Sequence, residues 1–128
     1  MDRKPYLAET RVADVVADAL RFRHGRSAEI YMFCVMPDHL HVLFSLGQPG
    51  RSLSRWVGDF KRWVDRELRI RGGLELRWQP NFFERVVRDD KELSTIAEYI
   101  LLNPVRQGLV SRWQDYTWCG SLVWQLEK

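Results

Sequence analysis

The sequence predicts one α+β domain over residues 1–128, an antiparallel sheet with helices packed on its faces. Apolar residues recur at helical spacing in three separate stretches. A β-branched and aromatic run from Ala28 to Met36 precedes Pro37-Asp38 and a second apolar run to Leu46, which is the pattern of an antiparallel hairpin. A chain of 128 residues, 45% of them apolar, is long enough to bury a core of its own.

The first predicted helix covers residues 10–23. Its apolar positions form one stripe, made of Val12, Val15, Val16, Ala19, Leu20 and Phe22. Gly25 supplies the backbone freedom that ends such a helix. His24, just before that glycine, is expected to be an ordinary surface residue.

The second strand of the hairpin holds two of the three histidines in the chain, His39 and His41. Side chains alternate along a strand, so both imidazoles project from one face while Leu40, Val42 and Phe44 point the other way. Two such imidazoles form half of a divalent-metal site. The alternative is a pair of histidines on a half-exposed sheet that bind nothing.

A long helix follows, which Ser52 can cap and which extends to about Arg71. The side opposite its apolar stripe is basic. A solvated helix face is one interpretation of this charge pattern. The other is a nucleic-acid site, because arginine forms forked hydrogen bonds with phosphate oxygens. The arginines concerned are Arg51, Arg55, Arg62, Arg66 and Arg69.

The last third of the chain is predicted to hold a strand at Asn81–Val87 and then a helix capped by Asp89 or Asp90. That helix carries Tyr99. Asn103 lies four residues further on, a spacing that places both side chains on one helix face. Asn103-Pro104 ends the helix or begins a further short turn, which the asparagine can cap. The aromatic tail after it is expected to pack over the core.

Charge and cysteine usage limit the setting of the protein. Lys and Arg number 20 against 17 Asp and Glu, and the pI of about 9.1 permits an anionic partner. Cys34 and Cys119 have neither zinc-type nor redox spacing, so buried thiols and a reducing cytoplasm are expected. The sequence has no signal-peptide pattern and no apolar run near 18 residues, so we expect no association with a membrane.

The histidine pair and the Tyr99 block together resemble the HUH-type single-tyrosine transposases, most closely the REP-associated branch. The hallmark of that branch is His-hydrophobic-His on a strand and a later helical tyrosine followed by Asn-Pro. The resemblance extends from about Leu7 to Trp118. It includes Trp-Gln-Pro-Asn-Phe-Phe-Glu-Arg-Val-Val at residues 78–87, Tyr-Ile-Leu-Leu-Asn-Pro-Val-Arg-Gln-Gly-Leu-Val at 99–110 and Asp-Tyr-Thr-Trp at 115–118.

This resemblance implies a ferredoxin-like HUH nuclease fold and a role for each residue. His39 and His41 would bind Mg²⁺ or Mn²⁺, with Asn103 as the third ligand. Tyr99 would attack a phosphodiester of single-stranded DNA, at a hairpin-forming repeat, and form a 5′-phosphotyrosine that allows strand transfer. A homodimer is left open, as is whether Tyr99 acts in its own subunit or across the dimer.

The chain departs from the family pattern in two places. Members of the family usually begin with a strand ahead of the first helix, whereas Tyr6-Leu7 is the sole apolar pair in Met1–Thr10, so we expect that strand to be missing. Where relatives tend to carry Asp-His, this chain has Glu84-Arg85. Glu84 is either an additional carboxylate of the site or a surface charge.

Two other functions are compatible with the same residues. In the first, the domain binds structured single-stranded DNA or RNA without a covalent step, and Tyr99 is a helix-surface tyrosine. In the second, His39 and His41 hold a metal for hydrolysis by water, which leaves the tyrosine block without a role.

Overall fold

A computed structural model of the chain describes residues 10–46, 52–72 and 89–126, and in them the α+β prediction is confirmed. A 3₁₀ turn at Trp113–Asp115 lies in the C-terminal segment. The helices and strands, in chain order, are α1 (Thr10–Arg23), β1 (Ala28–Val35), β2 (Leu40–Leu46), α2 (Leu53–Ile70), α3 (Asp90–Leu101), α4 (Asn103–Arg106) and β3 (Cys119–Gly120).

The three described strands form an antiparallel sheet in the order β2-β1-β3. Pro37-Asp38 makes the hairpin turn as predicted, closed by a 2.9 Å bond from the Met36 N–H to the His39 carbonyl. The register of β1 on β2 shifts between Ile30 and Met32, so Tyr31 is an extra residue that forms a β-bulge. His24 is not an ordinary surface residue. Its half-buried ring accepts the Ile30 N–H through Nδ1 at 2.9 Å, beside this bulge.

One face of the sheet is covered by α1 and α2 and contains the larger apolar core. The stripe of α1 is buried as predicted, apart from the exposed Phe22. Trp56 of α2 stacks on Phe44 of β2 with ring centroids 4.5 Å apart. The side chains that meet here include Val16, Leu20, Ile30, Phe33, Val35, Phe60, Val64 and Leu68.

The other face of the sheet is covered by α3 and by the C-terminal segment. Ala97 and Ile100 of α3 pack against Met32, Cys34 and Leu43 of the hairpin. The aromatic tail packs on the body of the protein as expected, where Trp124 contacts Tyr31 and Tyr116 donates to the Val35 carbonyl at 2.6 Å.

The two helices for which a cap was predicted, α2 and α3, begin where the sequence places them. Ser52 caps α2 by accepting the Arg55 N–H, and Asp89 caps α3 by accepting the Glu92 N–H. The pairing of Cys119–Gly120 with β1 was not predicted, since a two-residue strand has no periodicity to detect. The predicted strand at Asn81–Val87, and the first strand expected to be missing before residue 10, lie outside the described residues. Within those residues no helix is both long and apolar enough to span a bilayer.

Candidate metal and tyrosine site

The two strand histidines point at each other on one face of the sheet. Their Nε2 atoms are 3.0 Å apart and their rings are nearly perpendicular. His41 lies directly opposite Cys34 in the register, and Cys34 packs against α3. Opposite residues in an antiparallel pair project from the same face, so the histidines lie on the face that α3 covers. Val42 and Phe44 pack with α1 and α2 on the other face, as the alternation predicts.

Asp38 orients His39, which was not predicted. Its carboxylate lies 2.7 Å from Nδ1 of the imidazole. If Nδ1 carries the proton and donates a hydrogen bond to Asp38, Nε2 of His39 has a lone pair that accepts a hydrogen bond from His41 or binds a cation. Metal-binding histidines commonly have such a carboxylate behind them, because it fixes the tautomer and the ring orientation. The sequence signal was present in Asp38-His39, but it was interpreted only as a turn.

His41 is held in its neutral form. Burial, and then the nearby His39 and Arg106, lower its pKa from an ordinary value of 6.5 to about 4. A neutral imidazole is the form that binds a metal.

Among the tyrosines that the structure describes, Tyr99 is the one whose hydroxyl is available. Its side chain is 57% exposed, and within the described residues its hydroxyl has no hydrogen-bond partner. By contrast, the Tyr31 hydroxyl bonds to Ser45, and the Tyr116 hydroxyl bonds to a backbone carbonyl. Burial also raises the pKa of Tyr116 to about 12. Tyr99 is carried by α3, the helix that packs on the histidine face.

Asn103 lies just beyond the helix that carries Tyr99, at the further short turn that the sequence predicts for Asn103-Pro104. The helix α3 ends at Leu101, and Asn103 begins the separate short helix α4 because Pro104 has no N–H with which to continue the first. Asn103 is 4% exposed, and its side chain makes no capping bond. Its Oδ1 lies 3.4 Å from Nη2 of Arg106, and its buried Nδ2 has no partner in the described part of the chain.

Arg106 connects these residues and was also not predicted to be part of the site. Its guanidinium carbon lies 3.7 Å from the centroid of the Tyr99 ring, and Nη2 donates to the Tyr99 carbonyl as well as to Asn103. Its positive charge also contributes to the lowered pKa of His41. The signal that could have revealed it is the spacing Tyr99–Asn103–Arg106, which follows helical turns.

The histidine pair fits a divalent cation. Two nitrogens that bind one cation at right angles, each about 2.1 Å away, lie about 3.0 Å apart, as Nε2 of His39 and of His41 do. No group of three His, Cys, Asp or Glu side chains that could hold a metal occurs in residues 10–46, 52–72 and 89–126. Asn103 is the third ligand that the sequence predicts, and its Oδ1 has a second lone pair beside the one that accepts from Arg106.

The described part of the arginine stripe lies on the opposite side of the molecule. Arg55, Arg62, Arg66 and Arg69 are exposed along α2, and Arg62 forms an ion pair with Asp59. The buried side of α2 packs on the face of the sheet that α1 shares, away from the histidines. Arg51 and Glu84 lie outside the described residues.

The two cysteines are neighbours, although neither belongs to a disulfide. Cys34 is buried, pairs with His41 on one side and lies opposite Cys119 on the other. The interaction between the neighbouring thiols raises the pKa of Cys34 and lowers that of Cys119. Free thiols were expected, but their proximity was not, because it depends on the unpredicted strand β3.

Comparison with known proteins agrees with the residue pattern. A family model described as "Transposase IS200 like" matches residues 2–103. The REP-associated tyrosine transposase of Escherichia coli K12 is 28% identical over 116 residues, which are 90% of this chain and 67% of that protein. A putative REP-associated tyrosine transposase of Haemophilus influenzae is 30% identical over an alignment of 111 positions, and the match covers 75% of this chain and 63% of that protein.

A solved structure has the same fold. It is described as a REP-associated tyrosine transposase bound to a REP hairpin, and it superposes with a TM-score of 0.74 at 26% identity. The match covers 93% of this chain and 69% of that one. The chain therefore spans about two thirds of the length of the relatives it matches.

Proposed function

The chain belongs to the IS200-like transposase family, and from that premise we propose that it nicks single-stranded DNA and transfers the strand through a 5′-phosphotyrosine. Tyr99 is the nucleophile, and His39, His41 and Asn103 are the ligands of Mg²⁺ or Mn²⁺. The target is DNA beside a hairpin-forming repeat. The two free cysteines agree with a reaction in the reducing cytoplasm.

One observation carries this proposal. The paired imidazoles lie on the face of the sheet that α3 covers, and α3 carries the tyrosine whose hydroxyl is available. Arg106 contacts Tyr99 and Asn103, and its charge acts on His41, which supports a common site for these residues. A tyrosine on the α1 and α2 face would have no such neighbours.

The proposed step balances without an added reactant. The Tyr99 oxygen attacks the phosphorus of one phosphodiester, and the new bond forms as the bond to the 3′ oxygen breaks. The 3′ oxygen leaves with the bonding electrons and takes up a proton, while the phenol gives one up. The phosphodiester energy is kept in the link to Tyr99, so a 3′-hydroxyl of another strand can reverse the step and be joined without ATP.

The residues of the site have separate tasks in this step. Asp38 holds the His39 ring, and the low pKa of His41 keeps its nitrogen available as a ligand. A bound Mg²⁺ or Mn²⁺ would supply charge stabilisation at the phosphate. The exposure of Tyr99 leaves room for a DNA strand to approach the hydroxyl.

Hairpin DNA is the proposed partner, since the relative of known structure is bound to a REP hairpin. We assign phosphate contacts to the arginine stripe of Arg51, Arg55, Arg62, Arg66 and Arg69. The described members of the stripe and the histidines lie on opposite sides of the sheet, so they would contact different parts of the DNA. Neutralising the stripe should therefore weaken binding without changing the rate of the bound complex.

The test is a search for the covalent adduct. The protein is incubated with Mn²⁺ and 3′-labelled oligonucleotides that carry a fixed hairpin stem and a randomised single-stranded flank, and the products are separated on a denaturing gel. A 5′-phosphotyrosine keeps the 3′ label on the protein. We expect a labelled protein band with wild type and none with Tyr99→Phe.

A matched control is Tyr31→Phe, which removes a hydroxyl from the same side of the sheet but outside the proposed site. It should form the adduct like wild type. Binding without any adduct would favour the non-catalytic binding module, and cleavage that persists in Tyr99→Phe would favour the hydrolase. Either result would refute the proposed function.

A mixture of two inactive variants tests the arrangement of subunits. Tyr99→Phe and His41→Ala are inactive alone under the proposal. An adduct from the mixture would mean that Tyr99 works with the histidines of a partner, which requires a homodimer. No adduct from the mixture would mean that each subunit works with its own residues.

A further inference from the structure

We infer that Arg106 is a further catalytic residue, whose guanidinium binds a non-bridging oxygen of the phosphate that Tyr99 attacks. This inference rests on the proposed function and adds the group that binds the substrate anion. Arginine suits that task because the N–H groups of its guanidinium form a fork that can donate to two oxygens of one phosphate.

The contacts of Arg106 place it at the reacting centre of the proposal. Its guanidinium stacks on the Tyr99 ring with 3.7 Å between the guanidinium carbon and the ring centroid. The same group reaches the Asn103 amide at 3.4 Å. A phosphate within reach of the Tyr99 hydroxyl is therefore also within reach of an arginine that is already held there.

Arg106 still has donors to offer. Both of its hydrogen bonds, to the Tyr99 carbonyl and to Asn103, come from Nη2. Within the described residues Nη1 and Nε donate to no acceptor, and no carboxylate forms an ion pair with the side chain. Some other exposed arginines differ in this respect, since Arg21 pairs with Asp18 and Arg71 with Glu67.

The positive charge of Arg106 also favours the binding of an anion beside it. The guanidinium lies against Tyr99 and Asn103, two of the residues proposed to surround the divalent cation. A cation beside an uncompensated guanidinium is disfavoured by Coulomb repulsion. A phosphate between them would be attracted by both charges, and its own charge would offset the repulsion.

The alternative is a purely structural role. Arg106 donates to a carbonyl near the C-terminal end of α3, where a basic side chain stabilises a helix. This role alone predicts a loss of stability on substitution and no dependence on the charge of the phosphate. The test must therefore separate these two consequences.

The experiment compares Arg106→Gln and Arg106→Lys with wild type, and with Arg112→Gln as a control at another exposed arginine. Adduct formation is followed in single turnovers with Mn²⁺ at saturating hairpin oligonucleotide, once the cut position is known from the wild-type adduct. We expect Arg106→Gln to react about 100 to 1,000 times more slowly, as when one transition-state donor is lost. Arg106→Lys should lose about tenfold because it keeps the charge but not the fork. Arg112→Gln should react like wild type.

A second substrate identifies the atom that Arg106 contacts. It carries a methylphosphonate at the cut position, which replaces one charged non-bridging oxygen by a methyl group. With this oligonucleotide the difference between wild type and Arg106→Gln should largely disappear for the isomer that lacks the contacted oxygen. A structural role would give the same difference with both substrates and both isomers.

The inference is overturned if Arg106→Gln reacts at the wild-type rate, or if its defect is equal on both substrates. It is also overturned if the defect vanishes once the rate is corrected for the unfolded fraction. A wild-type protein that forms no adduct refutes the proposed function itself, and this inference with it. A wild-type adduct that needs Tyr99 but not Arg106 refutes the inference alone.

Discussion

The two faces of the sheet differ in what they bury. Under α1 and α2 the contacts are between apolar side chains such as Leu20, Phe33 and Val64. Under α3 the apolar contacts are mixed with polar groups that include His41 and Asn103. An apolar layer holds its shape without depending on protonation, whereas a polar layer can bind and react. Under the proposed function, stability and chemistry therefore belong to opposite faces of one sheet.

The largest expected effect is on the chemistry of the α3 face. We expect His41→Ala to reduce Mn²⁺-dependent adduct formation about 1,000-fold, because losing a ligand removes several kcal/mol of charge stabilisation. The fold should persist, since α1 and α2 do not contact this residue. The measurement is the single-turnover adduct rate together with the thermal unfolding midpoint.

Ser45→Ala is the matched control, since Ser45 lies on the same strand and the same face as His41. It should leave the adduct rate unchanged. A His41→Ala protein that forms the adduct at the wild-type rate would contradict the assignment of the chemistry to the α3 face.

A smaller effect is expected on the α1 face, and on stability instead of chemistry. Leu20 is fully buried, and we expect Leu20→Ala to lower the free energy of unfolding by about 3 kcal/mol through the cavity it leaves. Urea denaturation measures this change. The adduct rate of the folded fraction should stay at the wild-type value. The control is Arg21→Ala, at the neighbouring exposed position, which should lower the free energy of unfolding by less than about 0.5 kcal/mol.

The smallest effect concerns pH. The pKa of His41 is about 4 in the folded protein against 6.5 ordinarily, so the unfolded chain binds more protons between these values. The stability that neutral His41 contributes is present above about pH 6.5 and is lost as the pH falls toward 4. We expect the free energy of unfolding to fall by about 1 to 2 kcal/mol over this range, after allowing for the partial exposure of the ring.

The measurement is urea denaturation at pH 7 and pH 4.5 in the presence of a chelator, for wild type and His41→Asn. The variant should lack this part of the pH dependence. An identical pH dependence in both proteins would contradict the assignment to His41.

The sequence predicts the α1 face better than the α3 face. Periodicity locates α1, α2 and the hairpin because burial against a sheet needs one continuous apolar stripe. It also places His39 and His41 on one face. It does not reveal that Asn103 is buried or that Arg106 stacks on Tyr99. Both depend on how the short helix that begins at Asn103 is oriented against the helix that carries Tyr99.

The relation between the site and the arginine stripe also escaped prediction. The helical spacing of Arg55 to Arg69 shows that they share a side of α2, but the face of the sheet on which α2 packs is decided by its connection to the rest of the fold. The proximity of Cys34 and Cys119 escaped for a similar reason, since β3 is too short to have a pattern.

The bulge at Tyr31 has a consequence for the evolution of this hairpin. Beyond that residue Phe33 and Val35 face α1, while Cys34 faces α3 opposite His41. Deleting Tyr31 would let Met32 follow Ile30 in regular alternation, so every later position in β1 would keep its partner and its face. The strand can therefore lose one residue at the bulge, whereas a second deletion would move the positions beyond it to the opposite face.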